Sequence, residues 1–182
     1  MKSFALLICI IYEKLFKEKS TMLTNEQFTC YAERYIDTVF RVAYNYLKSS
    51  VDADDVTQNV FFKLLKEKKS FEGEEHVKNW LIRVTINECK NLVRSRWWKA
   101  ESFEDYAATL VFDNPSHTEL FYAVMELPQK YRMPIYLHYY EEYSTQEIAE
   151  ILKIPKNTVC TNLRRGRELL RKSLQEANEY AE

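Results

Sequence analysis

The chain has 182 residues, of which 46% are apolar and 14% aromatic, and it contains only two glycines and four prolines. This composition supplies enough apolar surface for a core and excludes a low-complexity chain, while the scarcity of turn-forming residues excludes a β-sandwich or barrel. The formal net charge of −1 conceals strongly charged blocks that appear only along the chain. The predicted fold class is all-α, with two small helical domains joined by a flexible acidic linker.

The N-terminal segment 1–22 differs from the rest of the chain. Nine consecutive apolar residues occupy positions 4–12, whereas a membrane-spanning helix needs about 20. Lysines and glutamates follow this run instead of a small-residue cleavage site, which argues against a signal peptide. We expect an extension of unclear role, with either Met1 or Met22 as the true start and no stable membrane insertion. A weak membrane association is the alternative.

The first helical domain is predicted over residues 23–99 and begins with two helices. Apolar residues recur every three or four positions from Asn25 onward, which is the period of an amphipathic helix. A break at 48–52 separates the two helices, and Ser50 or Asp52 is expected to cap the second one.

A third helix is predicted from Val77 to about Trp98, after a loop at 71–76. Residues 78–99 carry six basic residues against one acidic residue, and most of these charges lie outside the apolar stripe. The expected inner stripe consists of Trp80, Leu81, Val84 and Leu92.

Residues 100–117 are predicted to be the linker. The stretch 101–120 contains five acidic residues and no basic one, and Asn114–Pro115 favours a turn near the end of the linker. The second helical domain is predicted over residues 118–176, followed by a tail at 177–182.

Two prolines and one short turn divide the second domain. Pro128 is expected in the first turn of a helix, where its missing N–H costs little. Pro134 is expected to kink that helix or to shift its start. Residues 143–145 end this helix and cap the next, and a turn at 153–155 precedes a last helix that begins at Lys156.

The last helix, expected to end near Leu174, has one apolar and one polar face. An inner seam at spacings of four, three and four consists of Val159, Leu163, Gly166 and Leu170. The opposite face presents Lys156, Asn157, Cys160, Thr161, Arg164, Arg165 and Glu168. Ala149 is small where the preceding helix must approach this one. An apolar seam behind an arginine-bearing face is typical of the recognition helix of a helix-turn-helix domain, since the seam fixes the angle at which Arg side chains read guanine.

The two basic blocks, at 78–99 and 153–172, are separated by the acidic linker. This pattern suggests two contact sites for a polyanion, carried on separate domains. On charge alone, two solvated helix faces explain the pattern equally well.

Cysteine and histidine usage predicts neither a metal site nor a disulfide framework. Four scattered cysteines have no close pair and no histidine at ligand spacing, namely Cys9, Cys30, Cys89 and Cys160. We therefore expect no metal and no cofactor, and a reducing cytoplasm fits this usage.

Two sets of motifs resemble regions of bacterial sigma factors. Those that resemble region 4 are Leu127–Arg132, Ser144–Ala149, Ile154–Val159 and Leu163–Leu170. Those that resemble region 2 are Asp52–Phe61, Phe71–Gly73, Trp80–Val84 and Asn87. The order of the two sets across an acidic linker is similar to that of the extracytoplasmic-function (ECF) type, and the resemblance covers roughly residues 25–175.

The resemblance implies a sigma factor, which is not an enzyme but binds core RNA polymerase, directs it to promoters and assists melting. Region 4 would read the −35 element as duplex DNA through Lys156, Asn157, Thr158, Cys160, Thr161, Arg164 and Arg165. Region 2 would meet the −10 strand through Glu72, Gly73, Glu74, Glu75, His76, Val77, Asn87, Lys90 and Arg94. Core polymerase would dock on the helix that holds Asp54, Asp55, Gln58 and Phe61. An anti-sigma factor is expected to mask these surfaces.

Three departures from the family pattern affect the expected site. Cys160 occupies a position that is usually basic, and Lys153 occupies a turn position that often holds glycine. If the φ angle of Lys153 is positive, the strain is on the order of 1 kcal/mol. The −10 loop is acidic at Glu72, Glu74 and Glu75, which is unusual beside a polyanion.

Two other function classes remain as alternatives. A helix-turn-helix regulator that acts without polymerase would explain residues 118–175 but would leave Asp52–Phe61 and Asn87 without a role. An enzyme using Asp52 and its acidic neighbours as metal ligands is disfavoured, because no His or Glu partner has suitable spacing and acidic residues are ordinary at a helix start.

Overall fold

The computed structural model describes residues 23–68, 70–96 and 115–179. Within these ranges the structure contains seven helices and no strand, so the predicted all-α class is confirmed. The helices are α1 Asn25–Leu47, α2 Ser50–Lys66, α3 Glu74–Arg96, α4 Pro115–Glu126, α5 Gln129–Tyr139, α6 Thr145–Leu152 and α7 Lys156–Glu179. None of the helices in these ranges combines the length and the hydropathy needed to span a membrane.

The chain divides into an N-terminal unit, Met1–Glu101, and a C-terminal unit, Ser102–Glu182. The predicted extension at 1–22 lies outside the described residues, as do the predicted end of the third helix near Trp98 and most of the predicted linker.

Helices α1, α2 and α3 pack against one another in the N-terminal unit. Phe28 of α1 and Phe61 of α2 meet edge to face, with ring centroids 6.4 Å apart. Burial of each large apolar side chain stabilises the unit by about 1.5–3 kcal/mol. The almost fully buried side chains of this unit include Phe28, Val39, Val42, Val60, Phe61, Leu64, Val77, Leu81, Ile82 and Ile86.

Ser49 caps α2, with its hydroxyl oxygen accepting a hydrogen bond from the Asp52 N–H at 3.3 Å. The expected cap at Ser50 or Asp52 is therefore wrong. The physical reason is the left-handed φ of 58° at Lys48, which turns the chain within two residues. Helix α2 therefore begins inside the break that the sequence predicted at 48–52. Asp52 lies inside the first turn of α2 and is buried.

Helix α3 begins at Glu74, three residues before the predicted start. Gly73 has a φ of 147°, a backbone conformation that favours glycine, and its carbonyl oxygen accepts the Val77 N–H at 3.2 Å. The two acidic residues that follow lie at the positive end of the helix dipole, where they are favourable. The acidic residues at 74 and 75 therefore belong to a helix start instead of a loop.

The buried face of α3 also differs from the predicted stripe. Of the predicted residues only Leu81 is buried, whereas Trp80, Val84 and Leu92 are partly exposed. The reason is that α3 packs against both α1 and α2, so its buried face is wide and turned away from Trp80. That face consists of Val77, Leu81, Ile82, Thr85, Ile86 and Cys89. Burial raises the pKa of Cys89 to about 12, so this thiol stays protonated and acts as a packing group.

Arg132 ties α5 to the end of α4 in the C-terminal unit. Its guanidinium is buried, and Nη1 donates hydrogen bonds to the carbonyl oxygens of Met125 at 2.8 Å and Leu127 at 2.9 Å. A cation is favourable at a helix C-terminus, where carbonyl groups lack intrahelical donors. Helix α5 begins at Gln129 and continues through Pro134, so Pro134 does not shift the start of the helix, and the alternative of a kink stays a prediction.

The turn between α6 and α7 positions the last helix. Ser144 caps α6, as the prediction for 143–145 expected, although α5 already ends at Tyr139. Ser144 also forms a capping box with Glu147, and its hydroxyl and N–H hold the pKa of Glu147 below its ordinary value. Lys153 ends α6 at φ 59° and ψ 48°, and the Ile154 N–H donates to the Ala149 carbonyl at 3.1 Å. Three residues then suffice to reverse the chain into α7.

Replacing Lys153 by glycine should raise the free energy of unfolding of the C-terminal unit by about 0.5–1 kcal/mol, because the left-handed conformation is strained for a residue with a Cβ. Thermal or denaturant unfolding of the full chain measures the change. Lys153→Ala is the control and should give no gain, because alanine keeps the Cβ. Equal stability of the glycine and alanine variants would contradict the assigned turn geometry.

The predicted inner seam of α7 packs on α5. Val159 and Leu163 are buried, and a Cβ built on Gly166 would lie 3.0 Å from Ile135 Cγ1. Glycine therefore permits a close approach of the two helices. Helix α7 continues to Glu179, five residues beyond the expected end near Leu174.

Candidate nucleic-acid interfaces

Helix α7 presents a polar face away from its buried seam. Most of the predicted −35 residues are exposed and Thr161 is partly exposed; they are Lys156, Asn157, Thr158, Cys160, Thr161, Arg164 and Arg165. The Thr161 hydroxyl donates to the Asn157 carbonyl at 2.9 Å, which leaves its oxygen lone pairs facing outward as acceptors. Arg164 lies 3.2 Å from Glu168 in an exposed ion pair one turn along the helix.

Arg165 lies close to Tyr131 of α5. Hydrogen bonding by the Arg165 guanidinium, followed by that of Lys130, lowers the pKa of Tyr131 below its ordinary value. The Tyr131 Cβ also lies 3.5 Å from the position that a Cβ on Gly166 would occupy. Tyr131 was recognised in the sequence only as part of a motif, and its contact with Arg165 depends on the close packing of α5 against α7.

The segment 71–73 of the N-terminal unit is held from several sides. The Phe71 ring contacts His76 and Trp80 edge to face, at centroid distances of 5.5 and 5.7 Å. The Glu72 N–H points at His76 Nδ1, 3.3 Å away. Five of the predicted −10 residues are exposed on this segment and on the first turn of α3, namely Glu72, Gly73, Glu74, Glu75 and His76.

Val77 is buried with no exposed surface, so the expected contact of its side chain with the −10 strand is corrected. It is the first core residue of α3, and its inward position fixes which side of the helix faces outward.

The outer face of α3 continues from this segment as a polar stripe. The side of α3 opposite the buried face carries His76, Asn87, Lys90 and Arg94. Their spacings of 11, 3 and 4 residues are close to whole turns of a helix with 3.6 residues per turn, so the four residues share one side. Arg83 lies on the same stripe, four residues before Asn87, and its side chain is exposed. In the sequence, Arg83 was recognised as part of the basic block at 78–99 and of the motif Trp80–Val84, but it was not predicted as a −10 residue. Its spacing of four residues from Asn87 is the signal that places both on one face of the helix.

The outer face of α2 carries three of the four residues expected to dock polymerase. Asp54, Asp55 and Gln58 are exposed, and partial burial, with the neighbouring Asp55, raises the pKa of Asp54. Phe61 is 0% exposed and packs on Phe28, so its expected role as a direct contact is corrected. It points into the core because it lies a helical turn from Thr57 and Leu64 on the buried side of α2.

Phe62 occupies the outer face instead. Its ring is 43% exposed, and Lys66 Nζ lies 3.8 Å from the ring centroid. Val51 is 69% exposed on the same face. The face therefore combines acidic, amide and apolar groups, which suits a protein partner better than DNA.

A groove of about 460 Å³ runs between α2 and α3. Polar and apolar surface both line it, and the lining residues are Asp55, Val56, Gln58, Asn59, Glu88, Asn91, Leu92 and Ser95. Among the described residues, no group of three or more His, Cys, Asp or Glu side chains is arranged to hold a metal ion.

These features define a helical DNA-binding protein with a helix-turn-helix in one unit and a basic helix beside a structured loop in the other. The comparisons with known proteins agree with both units. The Sigma-70 region 2 family matches residues 31–99 and the Sigma-70, region 4 family matches residues 117–170.

Curated relatives cover most of the chain. It is 30% identical over 164 residues to the ECF RNA polymerase sigma factor SigW of Bacillus subtilis, covering 78% of this chain and 86% of that protein. It is 31% identical over 147 residues to the RNA polymerase sigma factor SigV of the same organism, covering 79% and 87%. The fold is similar to that of the sigma factor RpoE from Bartonella quintana, solved with the anti-sigma factor NepR, at a TM-score of 0.69 and 20% identity over 81% of this chain and 96% of that one.

The chain belongs to the sigma-70 family, as a sigma factor of the ECF type, and it functions in transcription initiation. The reading as a regulator that acts without polymerase is not favoured, because the region 2 match accounts for the N-terminal unit that such a regulator would leave without a role.

Proposed function

We propose that this sigma factor recognises duplex −35 DNA through the outer face of α7 and the unstacked −10 strand through segment 71–73 and the polar stripe of α3. The observation that carries the proposal is the exposed, arginine-bearing face of α7 over the buried seam of Val159 and Leu163. A helix fixed in this way inserts into the major groove, where Arg forks bind guanine edges and Lys side chains bind phosphates.

Arg165→Ala should relax selectivity at one −35 base pair, because a bidentate contact to guanine discriminates by about 1–3 kcal/mol. Lys156→Ala lies at the helix start and should lower affinity evenly and reduce the salt slope by about 1. The measurement is binding of both variants to a set of −35 point mutants at two salt concentrations. Tyr131→Phe removes the hydroxyl beside Arg165 and keeps the ring, so it should change the same base preference in the same direction but by less than Arg165→Ala.

If Arg165→Ala loses affinity equally for all sequences and keeps the parental base preference, Arg165 contacts only the DNA phosphate backbone. Thr161 and Arg164 would then be the residues that contact the bases.

The −10 contact is supported by the outer face of α3. Asn87 supplies an amide for hydrogen bonds to a base, and Arg83, Lys90 and Arg94 follow the same face as a phosphate track. The first turn of α3 offers backbone N–H groups near Glu74, and Gly73 lets the chain turn sharply beside them. An extruded base is held by such a combination of stacking surfaces and polar groups.

Core polymerase is proposed to dock on the outer face of α2, with Phe62 in place of the buried Phe61. Asp55 and Gln58 lie on the same face. A partly exposed aromatic ring among polar groups is the usual form of an interface anchor. Association with core polymerase during purification tests this proposal and also excludes, if positive, a regulator that acts alone.

An anti-sigma factor is proposed as the regulatory partner, because the similar sigma factor RpoE was solved with NepR. Such a partner would cover the outer face of α2 and the recognition face of α7. The function as a whole needs no catalytic residue and no cofactor, and we place it in the cytoplasm, where DNA and polymerase are.

Three domain assignments are part of this proposal. Residues 23–99 form the unit that binds polymerase and the −10 element, and residues 118–176 form the unit that binds the −35 element. Residues 100–117 link them, so that each unit binds its own promoter element.

A further inference from the structure

Segment 71–73 is the part of the proposed −10 surface that lies outside a helix, yet neighbouring side chains contact it at both ends. At its C-terminal end, Arg34 of α1 forms an ion pair with Glu74, and the Tyr35 hydroxyl donates to the Glu74 carbonyl at 3.4 Å. The start of α3 is thereby attached to α1, and Gly73 makes the turn that leads into it.

At the other end, two side chains of α3 hold the segment. His76 and Trp80 are four residues apart and therefore lie on one side of the helix. Both contact the Phe71 ring edge to face, at interplanar angles of 75° and 79°. Edge-to-face contacts between aromatic rings stabilise beyond the burial of their surface, because the ring edge is positive and the ring face negative.

His76 also contacts the backbone of the segment. The Glu72 N–H points at Nδ1 at 3.3 Å, so Nδ1 is the acceptor and the ring proton of the neutral imidazole lies on Nε2. One side chain thus holds the ring of Phe71 and the amide of Glu72 at the same time. Neither contact needs DNA to be present.

We propose that His76 is a positioning residue that preforms segment 71–73, with Trp80 as its partner, so that the segment is already shaped for an unstacked base of the −10 strand. This inference rests on the proposed −10 role of the segment. Preforming a binding segment raises affinity because the ordering cost is met before the partner arrives. It also sharpens base selectivity, because a segment held in one shape cannot adapt to the wrong base.

Three substitutions separate the contributions of His76. His76→Phe keeps a ring against Phe71 and removes the acceptor. His76→Asn places an amide oxygen near the position of Nδ1 and removes the ring, and His76→Ala removes both. Each variant is prepared as the full chain and studied free and as holoenzyme with core polymerase.

The free protein is studied by NMR hydrogen exchange at the Glu72 amide, and the holoenzyme by affinity for single-stranded −10 oligonucleotides that differ at one base. We expect His76→Phe to lose protection at Glu72 and about 2- to 12-fold in affinity for the preferred oligonucleotide, the range for one hydrogen bond. His76→Asn should restore protection and base preference relative to His76→Ala. The melting temperature of each variant separates this effect from a general loss of stability, which would not change base preference.

The inference is overturned if His76→Phe and His76→Ala keep both the Glu72 protection and the base preference of the parent. A parent holoenzyme that binds the −10 oligonucleotides without any base preference overturns the proposed −10 role itself. The two failures are distinguishable because the exchange measurement needs no DNA.

Discussion

Replacing Phe61 by alanine should lower the free energy of unfolding of the N-terminal unit by about 3–5 kcal/mol, the usual cost of truncating a buried aromatic side chain. Its ring is fully buried and packs on Phe28, so alanine leaves a cavity that the three helices cannot close. A domain is stable by only about 5–15 kcal/mol, and the variant should therefore unfold at a much lower denaturant concentration than the parent. Denaturant unfolding followed by circular dichroism measures the shift.

Phe62→Ala is the matched control on the neighbouring residue. Its half-exposed ring contacts Lys66, and losing that contact should cost less than about 1 kcal/mol of stability. The affinity of the Phe62→Ala variant for core polymerase should nevertheless fall by about tenfold or more, as expected when an aromatic residue that anchors an interface is removed. If instead Phe62→Ala unfolds easily and Phe61→Ala does not, the assignment of the two faces of α2 is wrong.

The second large effect concerns Arg132. Arg132→Ala should destabilise the C-terminal unit by about 2–4 kcal/mol, because it removes two charged hydrogen bonds to carbonyl oxygens at the end of α4. Thermal unfolding of the full chain, with each unit followed by its own NMR signals, measures the loss. DNA binding by α7 should weaken together with folding, since α7 packs on α5.

Two controls identify the cause of the Arg132 effect. Arg132→Met keeps most of the side-chain volume and should be nearly as destabilising as alanine, which would assign the loss to hydrogen bonds. Lys130→Ala removes an exposed cation two residues away and should change stability by less than about 0.5 kcal/mol. A fully stable Arg132→Met variant would refute the capping role.

The helix pattern was predictable because local signals agreed with tertiary packing. The capping box of Ser144, the reversal after Lys153 and the seam of Val159 and Leu163 depend on neighbours within a few residues, so the sequence contains their causes. The same holds for the exposed face of α7, which is the opposite side of that seam.

The errors arose where tertiary contacts choose between neighbouring residues. Phe61 and Phe62 are adjacent and chemically identical, but Phe61 lies a helical turn from Thr57 and Leu64 on the side of α2 that packs against α1, so Phe61 points inward and Phe62 does not. The buried face of α3 includes Ile82 and Ile86 because a second helix packs there, which a single apolar stripe does not reveal. Helix α3 starts at Glu74 and not at the predicted Val77, because Gly73 adopts a backbone conformation that favours glycine and turns the chain directly before the helix.

In the candidate site, too, local features were predictable from the sequence and tertiary contacts were not. The exposed polar residues of α7 followed from helical spacing alone. The contact between Tyr131 and Arg165, and the contacts of Phe71 with His76 and Trp80, depend on distances that arise only after folding. Arg83 was within reach of sequence reasoning, because its spacing of four from Asn87 places both on one face of a helix.

We propose that this chain directs core RNA polymerase to promoters with the recognition face of α7. The most direct measurement is run-off transcription from a genomic promoter library with purified core polymerase, comparing the full chain with its Arg165→Ala variant. The account predicts discrete transcripts from promoters that share a −35 element, and a broadened −35 preference at one base pair in the variant. A full chain that binds duplex DNA but neither associates with core polymerase nor yields promoter-specific transcripts would contradict it.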